Sequence, residues 1–175
     1  MEKLVVIIGP TAVGKTEISV ELALRLQGEI ISGDSMQVYK YMDIGTAKIR
    51  PEESRGIPHH LLDIREPDQT FNVAEFQQLA RQKISEINQR GKLPLLVGGT
   101  GLYVQAVLDD YEFGPAETDP GYRQKLREIA RTKGEKYLHR QLQAVDPLAA
   151  DRIHPNDIKR IIRALEYYHS TGKQI

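Results

Sequence analysis

Residues 4–16 read LVVIIGPTAVGKT and carry the strongest fold signal of the chain. Its first five residues form a fully apolar, largely β-branched run, which predicts a strand buried on both faces. From Lys15 to Leu26 apolar side chains recur at helical spacing, which predicts a helix. Gly28 follows at the position where a helix commonly ends in a left-handed residue. The segment therefore predicts a strand, a glycine-containing turn and a helix in direct succession.

The alternation of strand and helix continues along the first two thirds of the chain. Further strands are predicted at Ile30–Ile31, Leu61–Ile64 and Leu93–Val97. A capping-box pattern that starts at Asn72 predicts a helix to about Arg90. This order predicts an α/β fold with a doubly wound parallel sheet, in which ligands bind at the carboxyl ends of the strands.

The pattern changes from Glu112 onwards, where strand signals stop. Helices are predicted over 121–133, 135–145 and 156–170. We therefore divide the chain into a catalytic core, residues 1–112, and a helical insert, residues 113–175.

The charge of the chain is unevenly distributed. Its 24 basic and 24 acidic side chains cancel formally. Residues 1–120, however, carry 12 basic and 18 acidic side chains, whereas residues 121–175 carry 12 basic and 6 acidic ones. Because a basic segment attracts polyanions, we expect a nucleic acid to bind the helical part.

Composition excludes several classes of protein. The chain has no cysteine, which excludes disulfides, zinc–thiolate sites and a thiol nucleophile. No apolar stretch approaches the roughly 18 residues that a membrane span needs, and residues 1–10 do not have the pattern of a signal peptide. We expect a monomeric cytoplasmic protein with no membrane partner.

The turn after the first strand matches the phosphate-loop pattern of a glycine, four residues and Gly-Lys-Thr. In this loop backbone N–H groups surround phosphate oxygens, Lys15 supplies a positive charge, and the Thr16 hydroxyl is placed to bind Mg²⁺. The residues predicted to bind the phosphates are Gly9, Pro10, Thr11, Ala12, Val13, Gly14, Lys15 and Thr16. The pattern predicts a P-loop NTPase-like fold that binds a di- or triphosphate. Kinases and NTPases are the enzymes that commonly contain such a loop.

Two features depart from the kinase pattern. The strand Leu93–Val97 ends in Gly98 and Gly99, where an aspartate commonly supplies a second Mg²⁺ ligand. The acidic residue that follows a predicted strand is instead Asp34, in the sequence GDSMQ.

These residues resemble the tRNA dimethylallyltransferase (tRNA isopentenyltransferase) family. Six motifs of that family occur in order through essentially the whole chain: GPTAVGKT (9–16), DSMQVY (34–39), MDIGTAK (42–48), PHHL (58–61), GGTGLY (98–103) and RALE (163–166). The resemblance implies transfer of a prenyl group from dimethylallyl diphosphate to N6 of the adenosine that is 3′-adjacent to the tRNA anticodon. Diphosphate is the product released.

The resemblance also implies roles for the residues of the core. Lys15 and a Mg²⁺ ion on Thr16 would neutralise the diphosphate as it leaves. Asp34 would be the general base for the adenine amine, although a role as a helix cap or Mg²⁺ ligand stays open. Thr100 would lie near the reacting groups, and an ordinary N-cap is the equal alternative.

Other positions of the resemblance imply contacts with the tRNA anticodon stem-loop. They are Asp34, Ser35, Met36, Gln37 and Thr100 in the core, and Arg123, Lys159, Arg160 and Arg163 in the insert. The Gln37 amide suits an adenine edge. A solvated face is the alternative for each basic residue taken alone, and His59–His60 are expected to pack or hydrogen-bond.

Members of the family are longer than this chain, so the resemblance implies that the insert and the core are incomplete here. Two other functions stay open: a small-molecule or nucleoside kinase, and a non-catalytic RNA-binding module that keeps the loop.

Overall fold

The computed structural model of the chain describes residues 2–109, Phe113 and residues 119–175. The chain divides into two compact units, Met1–Glu112 and Phe113–Ile175. The first is a mixed α/β unit, and the described residues of the second are helical. The predicted boundary at Glu112 lies outside the described residues.

Parallel strands form the centre of the first unit. Its elements are β1 (Val5–Ile8), α1 (Lys15–Leu26), β2 (Gly28–Ser32), β3 (His59–His60), α2 (Val73–Gln89), β4 (Leu93–Gly98) and α3 (Gly101–Leu108). The strands lie in the order β1-β4-β2-β3, and each neighbouring pair is parallel. The predicted α/β fold with a parallel sheet is confirmed.

Adjacent residues of the central strands feed two separate cores. Ile30 pairs with Leu95 and lies in a cluster with side chains of α1. Ile31 pairs with Leu96 and lies in a cluster with side chains of α2 and α3, among them the fully buried Phe76. Helices therefore cover both faces of the sheet, which is why the adjacent residues Ile30–Ile31 and Leu95–Leu96 of its central strands are all apolar.

Two local predictions are wrong. The third strand is His59–His60 rather than 61–64, because Leu61 and Asp63 have left-handed φ values of 63° and 53° that a strand excludes. The residue that ends α1 in the left-handed region is Gln27, with φ 51°, and Gly28 already belongs to β2. A Cβ atom on Gly28 would lie 2.4 Å from the side chain of Leu95, so the glycine serves close packing.

The predicted capping box of α2 is confirmed. The Asn72 side-chain oxygen accepts hydrogen bonds from the amides of Ala74 and Glu75, each at 3.0 Å. The Glu75 carboxylate in turn accepts one from the Asn72 amide at 3.1 Å. Backbone N–H groups at the start of the helix thus receive hydrogen-bond acceptors from the side chains of both Asn72 and Glu75.

A buried carboxylate lies where β2 begins. Glu29 accepts a hydrogen bond from Arg90 at 2.7 Å, is hydrogen-bonded to His60 at 2.7 Å, and forms an ion pair with Lys92 at 3.3 Å. Burial alone would raise the pKa of Glu29, but the cationic and hydrogen-bonding neighbours more than offset it and hold the pKa below its ordinary value. His59 is hydrogen-bonded to the carbonyl oxygen of Ile57 at 2.8 Å, so both histidines have the hydrogen-bonding role predicted for them.

The second unit packs four described helices around an apolar core. They are α4 (Pro120–Lys133), α5 (Glu135–Val145), α6 (Pro147–Arg152) and α7 (Ile158–Thr171). The three predicted helices are confirmed, and α6 was not predicted. The core includes Leu126 of α4, Leu138 and Leu142 of α5, and Ile161 and Leu165 of α7. Within the described part of the chain, no helix is both long and apolar enough to cross a membrane.

Candidate active site

The loop between β1 and α1 contains two left-handed residues. Gly14 adopts a left-handed φ of 84° and forms the N-cap of α1, where no described side chain caps the helix. Ala12 is also left-handed, at φ 66°. The first amides of α1 therefore remain available to a ligand, at the end of the helix where its dipole is positive.

Lys15 folds back over this loop. Its Nζ donates a hydrogen bond of 2.5 Å to the carbonyl oxygen of Pro10. Its side chain therefore holds a positive charge against the loop backbone. A phosphate in the loop would meet this ammonium group together with the free amides.

A cavity of about 550 Å³ opens beside the loop, at the carboxyl ends of the strands. It brings together side chains and backbone from three strand ends, as the parallel sheet predicts. The predicted residues that line it are Thr11, Ala12, Gly14, Lys15, Thr16, Asp34, Met36 and Gln37. The cavity lining does not include Gly9, Pro10, Val13, Ser35 or Thr100.

Asp34 follows β2 and uses its two carboxylate oxygens differently. Oδ1 accepts hydrogen bonds from the amides of Met36 at 2.8 Å and Gln37 at 3.3 Å, which orients the carboxylate. Oδ2 accepts no hydrogen bond from the described residues. Asp34 therefore caps a turn and not a helix, as no helix of the described residues follows it before β3, and its Oδ2 remains open to a ligand.

Thr100 precedes α3 without using its side chain as a cap among the described residues. Its Oγ1 instead accepts a hydrogen bond of 3.2 Å from the amide of Ser35. This bond joins the turn after β4 to the turn that carries Asp34. Thr100 thus contacts the Asp34 turn but does not line the cavity itself.

Gln37 is held by the protein at both ends of its amide. Oε1 accepts a hydrogen bond from the Ser32 hydroxyl at 2.9 Å, and Nε2 donates one to the carbonyl oxygen of Thr46 at 3.0 Å. The amide thus joins the end of β2 to the loop that contains Gly45–Ala47.

Sequence reasoning assigned no site role to Gly45–Ala47, which line the same cavity. The loop is anchored by Lys48, whose side chain is only 5% exposed. Its Nζ donates to the carboxylates of Asp43 at 2.6 Å and Asp63 at 2.7 Å, and to the carbonyl oxygen of Tyr39 at 2.9 Å. Burial would lower the pKa of Lys48, but the two carboxylates more than offset this and raise the pKa. The MDIGTAK motif was the sequence signal for this loop, although the motif alone does not indicate which residues contact one another.

Tyr103 is a buried titratable group of the same unit. It stacks on Phe76 with ring centroids 4.2 Å apart. Burial, reinforced by Tyr39, Glu75 and Asp34, raises the pKa of Tyr103 to about 12. The phenol therefore keeps its proton near neutral pH.

The second unit contains a basic groove of about 370 Å³ between α4 and α7. It is lined by Arg123, Arg127, Ile158, Lys159, Ile162 and Arg163. Three of the four predicted tRNA-contacting residues of this unit are thus brought together. Arg160 does not line the groove; it is exposed, and its Nε lies 3.4 Å from an Asp157 carboxylate oxygen.

Sequence reasoning assigned no role to Arg127 or to the carboxylate beneath the groove. Glu166 is 1% exposed and lies at hydrogen-bond distance from Arg123 and Arg163. Burial would raise the pKa of Glu166, but these two guanidinium groups more than offset it and lower the pKa. The carboxylate is therefore ionised beneath the groove.

Comparison with known proteins identifies the family of the chain. A sequence model described as IPP transferase matches residues 37–175. The chain belongs to the IPP transferase family. Two curated relatives named tRNA dimethylallyltransferase are 61% identical over 98% of the chain (Geobacillus kaustophilus) and 59% identical over 99% of it (Carboxydothermus hydrogenoformans).

Solved structures of IPP transferases have the same fold. The full-length tRNA isopentenylpyrophosphate transferase from Bacillus halodurans is 57% identical, with a TM-score of 0.65 over 99% of this chain and 57% of its own. A eukaryotic dimethylallyltransferase acting on tRNA is 35% identical, with a TM-score of 0.82 over 99% of this chain and 43% of its own. The chain spans about 55% of the length of the two curated relatives.

Proposed function

We propose that this chain transfers a dimethylallyl group from dimethylallyl diphosphate to N6 of the adenosine 3′-adjacent to a tRNA anticodon, with release of diphosphate. The observation that carries the proposal is the single cavity that both Lys15 and Asp34 line. One wall suits a diphosphate and the other offers a proton acceptor. The relatives named tRNA dimethylallyltransferase support the same chemistry.

The loop of residues 9–16 would hold the diphosphate. Its free amides, the N-terminus of α1 and the Lys15 ammonium would stabilise the negative charge that develops as the carbon–oxygen bond breaks. Mg²⁺ requires oxygen ligands and commonly binds through few protein groups together with substrate phosphates. The Thr16 hydroxyl on the cavity fits this requirement, and the ion would supply further charge neutralisation there. The described residues contain no group of three or more histidine or acidic side chains placed to hold a metal.

Asp34 would act on the adenine amine. The amine nitrogen forms a bond to the prenyl carbon as the bond to diphosphate breaks, and N6 then loses one proton. Oδ2 of Asp34, which is free of the turn that Oδ1 caps, would accept this proton. Thr100 would support the geometry through its hydrogen bond to the Ser35 amide.

The tRNA would contact both units. The target base would have to leave its stack, because the amine of a stacked base is out of reach of the cavity. In the first unit Ser35, Met36 and Gln37 would then lie against the flipped-out base. In the second unit Arg123, Lys159, Arg160 and Arg163 would bind phosphates. We infer that the first unit is a P-loop NTPase-like core and that the second is a helical insert within it, which acts in the cytoplasm as a monomer.

The test is transfer of label from dimethylallyl diphosphate to unmodified tRNA in the presence of Mg²⁺, measured with the full-length protein and its Asp34→Asn variant. Asparagine keeps the oxygen that caps the turn and removes the basic one. We expect the rate to fall by about 10²–10⁴-fold, which is the usual contribution of a general base. Asp68→Asn, in an exposed loop, is the matched control and should leave the rate unchanged.

Two results would overturn the proposal. An unchanged rate in Asp34→Asn would remove the general base. No label in tRNA, together with rapid ATP turnover, would favour the kinase. The absence of an acidic residue at Gly98–Gly99, where β4 ends, argues against that second outcome.

A further inference from the structure

The basic groove of the second unit is built on a buried carboxylate. Glu166 accepts hydrogen bonds from Arg123 Nε at 2.6 Å, Arg123 Nη2 at 2.7 Å and Arg163 Nη1 at 2.9 Å. It also accepts one from the amide of Asp119 at 3.2 Å, which ties α7 to the start of α4. Two parallel bonds from one guanidinium fix both the position and the plane of that group.

This arrangement leaves most of the arginine donors unused by Glu166. A guanidinium has five N–H donors. Arg123 gives two of them to Glu166 and Arg163 gives one. Their side chains remain 32% and 40% exposed, and both line the groove. The remaining N–H groups are therefore available in a fixed orientation.

We propose that Glu166 is a positioning residue, which fixes Arg123 and Arg163 as a preformed site for RNA phosphodiester groups that Arg127 and Lys159 complete. The inference rests on the proposed function, because it takes RNA as the ligand. It adds two residues to that function: Glu166, whose carboxylate does not touch the RNA, and Arg127, the fourth cation in the groove.

The charges of the groove support a role in geometry. Four cations and one carboxylate leave the site a formal charge of +3. A site that attracted polyanions by charge alone would be stronger without Glu166. Burying an ionised carboxylate under the groove costs desolvation energy, which its four hydrogen bonds offset. What the structure gains is a pair of guanidinium groups that do not have to be ordered when a phosphate binds.

Phosphodiester groups suit this groove better than an acidic peptide does. The volume of about 370 Å³ fits a short piece of sugar–phosphate backbone. Ile158 and Ile162 add an apolar wall against which a ribose can pack. Planar guanidinium forks bind phosphate and carboxylate oxygens alike in bidentate contacts, so the preference rests on the volume of the groove and on this apolar wall.

The experiment measures binding of an unmodified anticodon stem-loop RNA to the full chain and its variants. Glu166→Gln raises the charge of the groove by one, so attraction by charge alone predicts tighter binding. Positioning predicts the reverse, because the glutamine NH₂ group cannot accept the arginine donors. We expect affinity to fall about tenfold, the order of one lost charge-assisted contact. Glu128→Gln, which frees the exposed Arg131 on α4, is the matched control and should not weaken binding.

A second pair of variants keeps the test valid if Glu166→Gln does not fold. Arg123→Lys preserves the charge and removes the guanidinium fork, so affinity should fall several-fold. Arg131→Lys makes the same exchange on the exposed face of α4 and should have no effect. Arg127→Gln should reduce the slope of log affinity against log salt by about 0.7–0.9, the value for one phosphate contact.

The outcomes separate this inference from the proposed function. Unchanged or tighter binding by Glu166→Gln, or unchanged binding by Arg123→Lys, overturns the positioning role and leaves prenyl transfer untouched. Weakened binding without prenyl transfer in the label assay leaves the groove standing and removes the transfer chemistry. Failure of the unmodified chain to bind the RNA, or equal binding of an acidic peptide, overturns the RNA-phosphate assignment itself.

Discussion

Replacement of Lys48 by methionine should loosen the loop that carries Gly45–Ala47. The methionine side chain fills nearly the same volume, so the change removes the charge and little packing. It deletes the donor of three hydrogen bonds, which end on Asp43, Asp63 and the carbonyl oxygen of Tyr39. The loop then loses its link to residues 61–65.

The magnitude follows from the exposure of the partners. Removing one member of a buried ion pair costs roughly 3–5 kcal/mol when the other charge stays buried. Here the side chains of Asp43 and Asp63 are 65% and 48% exposed, so water can replace the ammonium group. We therefore expect the free energy of unfolding of the first unit to fall by about 2 kcal/mol, the range of a hydrogen bond to a charged group.

Urea denaturation followed by circular dichroism measures this loss. Lys40→Met is the matched control, because Lys40 pairs with Glu66 at 2.5 Å while its side chain is 41% exposed. Exposed pairs contribute little to stability. A second readout is the affinity for inorganic diphosphate with Mg²⁺, which should fall in Lys48→Met since Gly45–Ala47 line the cavity. If both variants lose the same stability and bind diphosphate equally, Lys48 is not the anchor of this loop.

The same lysine gives a pH dependence with a definite sign. Because its pKa is raised in the folded state, its stabilising contribution is complete below the ordinary value of 10.5. The contribution is lost as the pH rises through the folded-state pKa. As the pH is raised from neutral, the stability difference between the unmodified chain and Lys48→Met should therefore begin to shrink only above pH 10.5.

Two further predictions concern the sheet. Gly98→Ala should destabilise the first unit by about 1–3 kcal/mol or more, because the new Cβ atom would lie 2.4 Å from the backbone oxygen of Gly33. Gly101→Ala is the control, because a Cβ atom on Gly101, in helix α3, would meet nothing within 4 Å. This substitution should raise the thermal midpoint slightly. A loss of stability as large as that of Gly98→Ala would contradict the argument that β4 and Gly33 approach too closely for a side chain. Glu29→Gln should remove part of the acid sensitivity of unfolding, since the lowered pKa of Glu29 gives stability that is present above pH 4.5 and lost below it. Identical acid-unfolding profiles for the two proteins would show that Glu29 does not contribute.

Elements with strong local signals were predictable from the sequence. The bounds predicted for α1 coincide with those observed, because apolar side chains recur at helical spacing between Lys15 and Leu26. The helix from Asn72 was found through two side chains that satisfy each other's backbone three residues apart. The phosphate loop and Asp34 were found because each follows an apolar strand signal, and a parallel sheet brings such ends to one edge. The prediction that the first strand is buried on both faces is wrong, because β1 lies at the edge of the sheet and Ile8 is 58% exposed.

The missed features depend on residues that are distant in sequence. The third strand is His59–His60, which pairs with Ile30 and Ile31 through its backbone, so the apolar run beside it was a misleading guide. The Glu166–Arg123 contact joins residues 43 positions apart on different helices. Lys48 becomes an anchor only when Asp63 turns back towards it. Such contacts are set by packing, which single-sequence periodicity does not encode.

Ile30 and Ile31 pair with Leu95 and Leu96, so each of these β4 residues is assigned to one face of the sheet. Successive residues of this strand enter different cores, one under α1 and the other under α2 and α3. Exchanging one apolar side chain for another there changes the fit within one core. Deleting one residue would move the rest of the strand to the opposite face and disturb both cores at once. The strand can therefore accept exchanges among apolar residues, whereas a change in its length disrupts both cores.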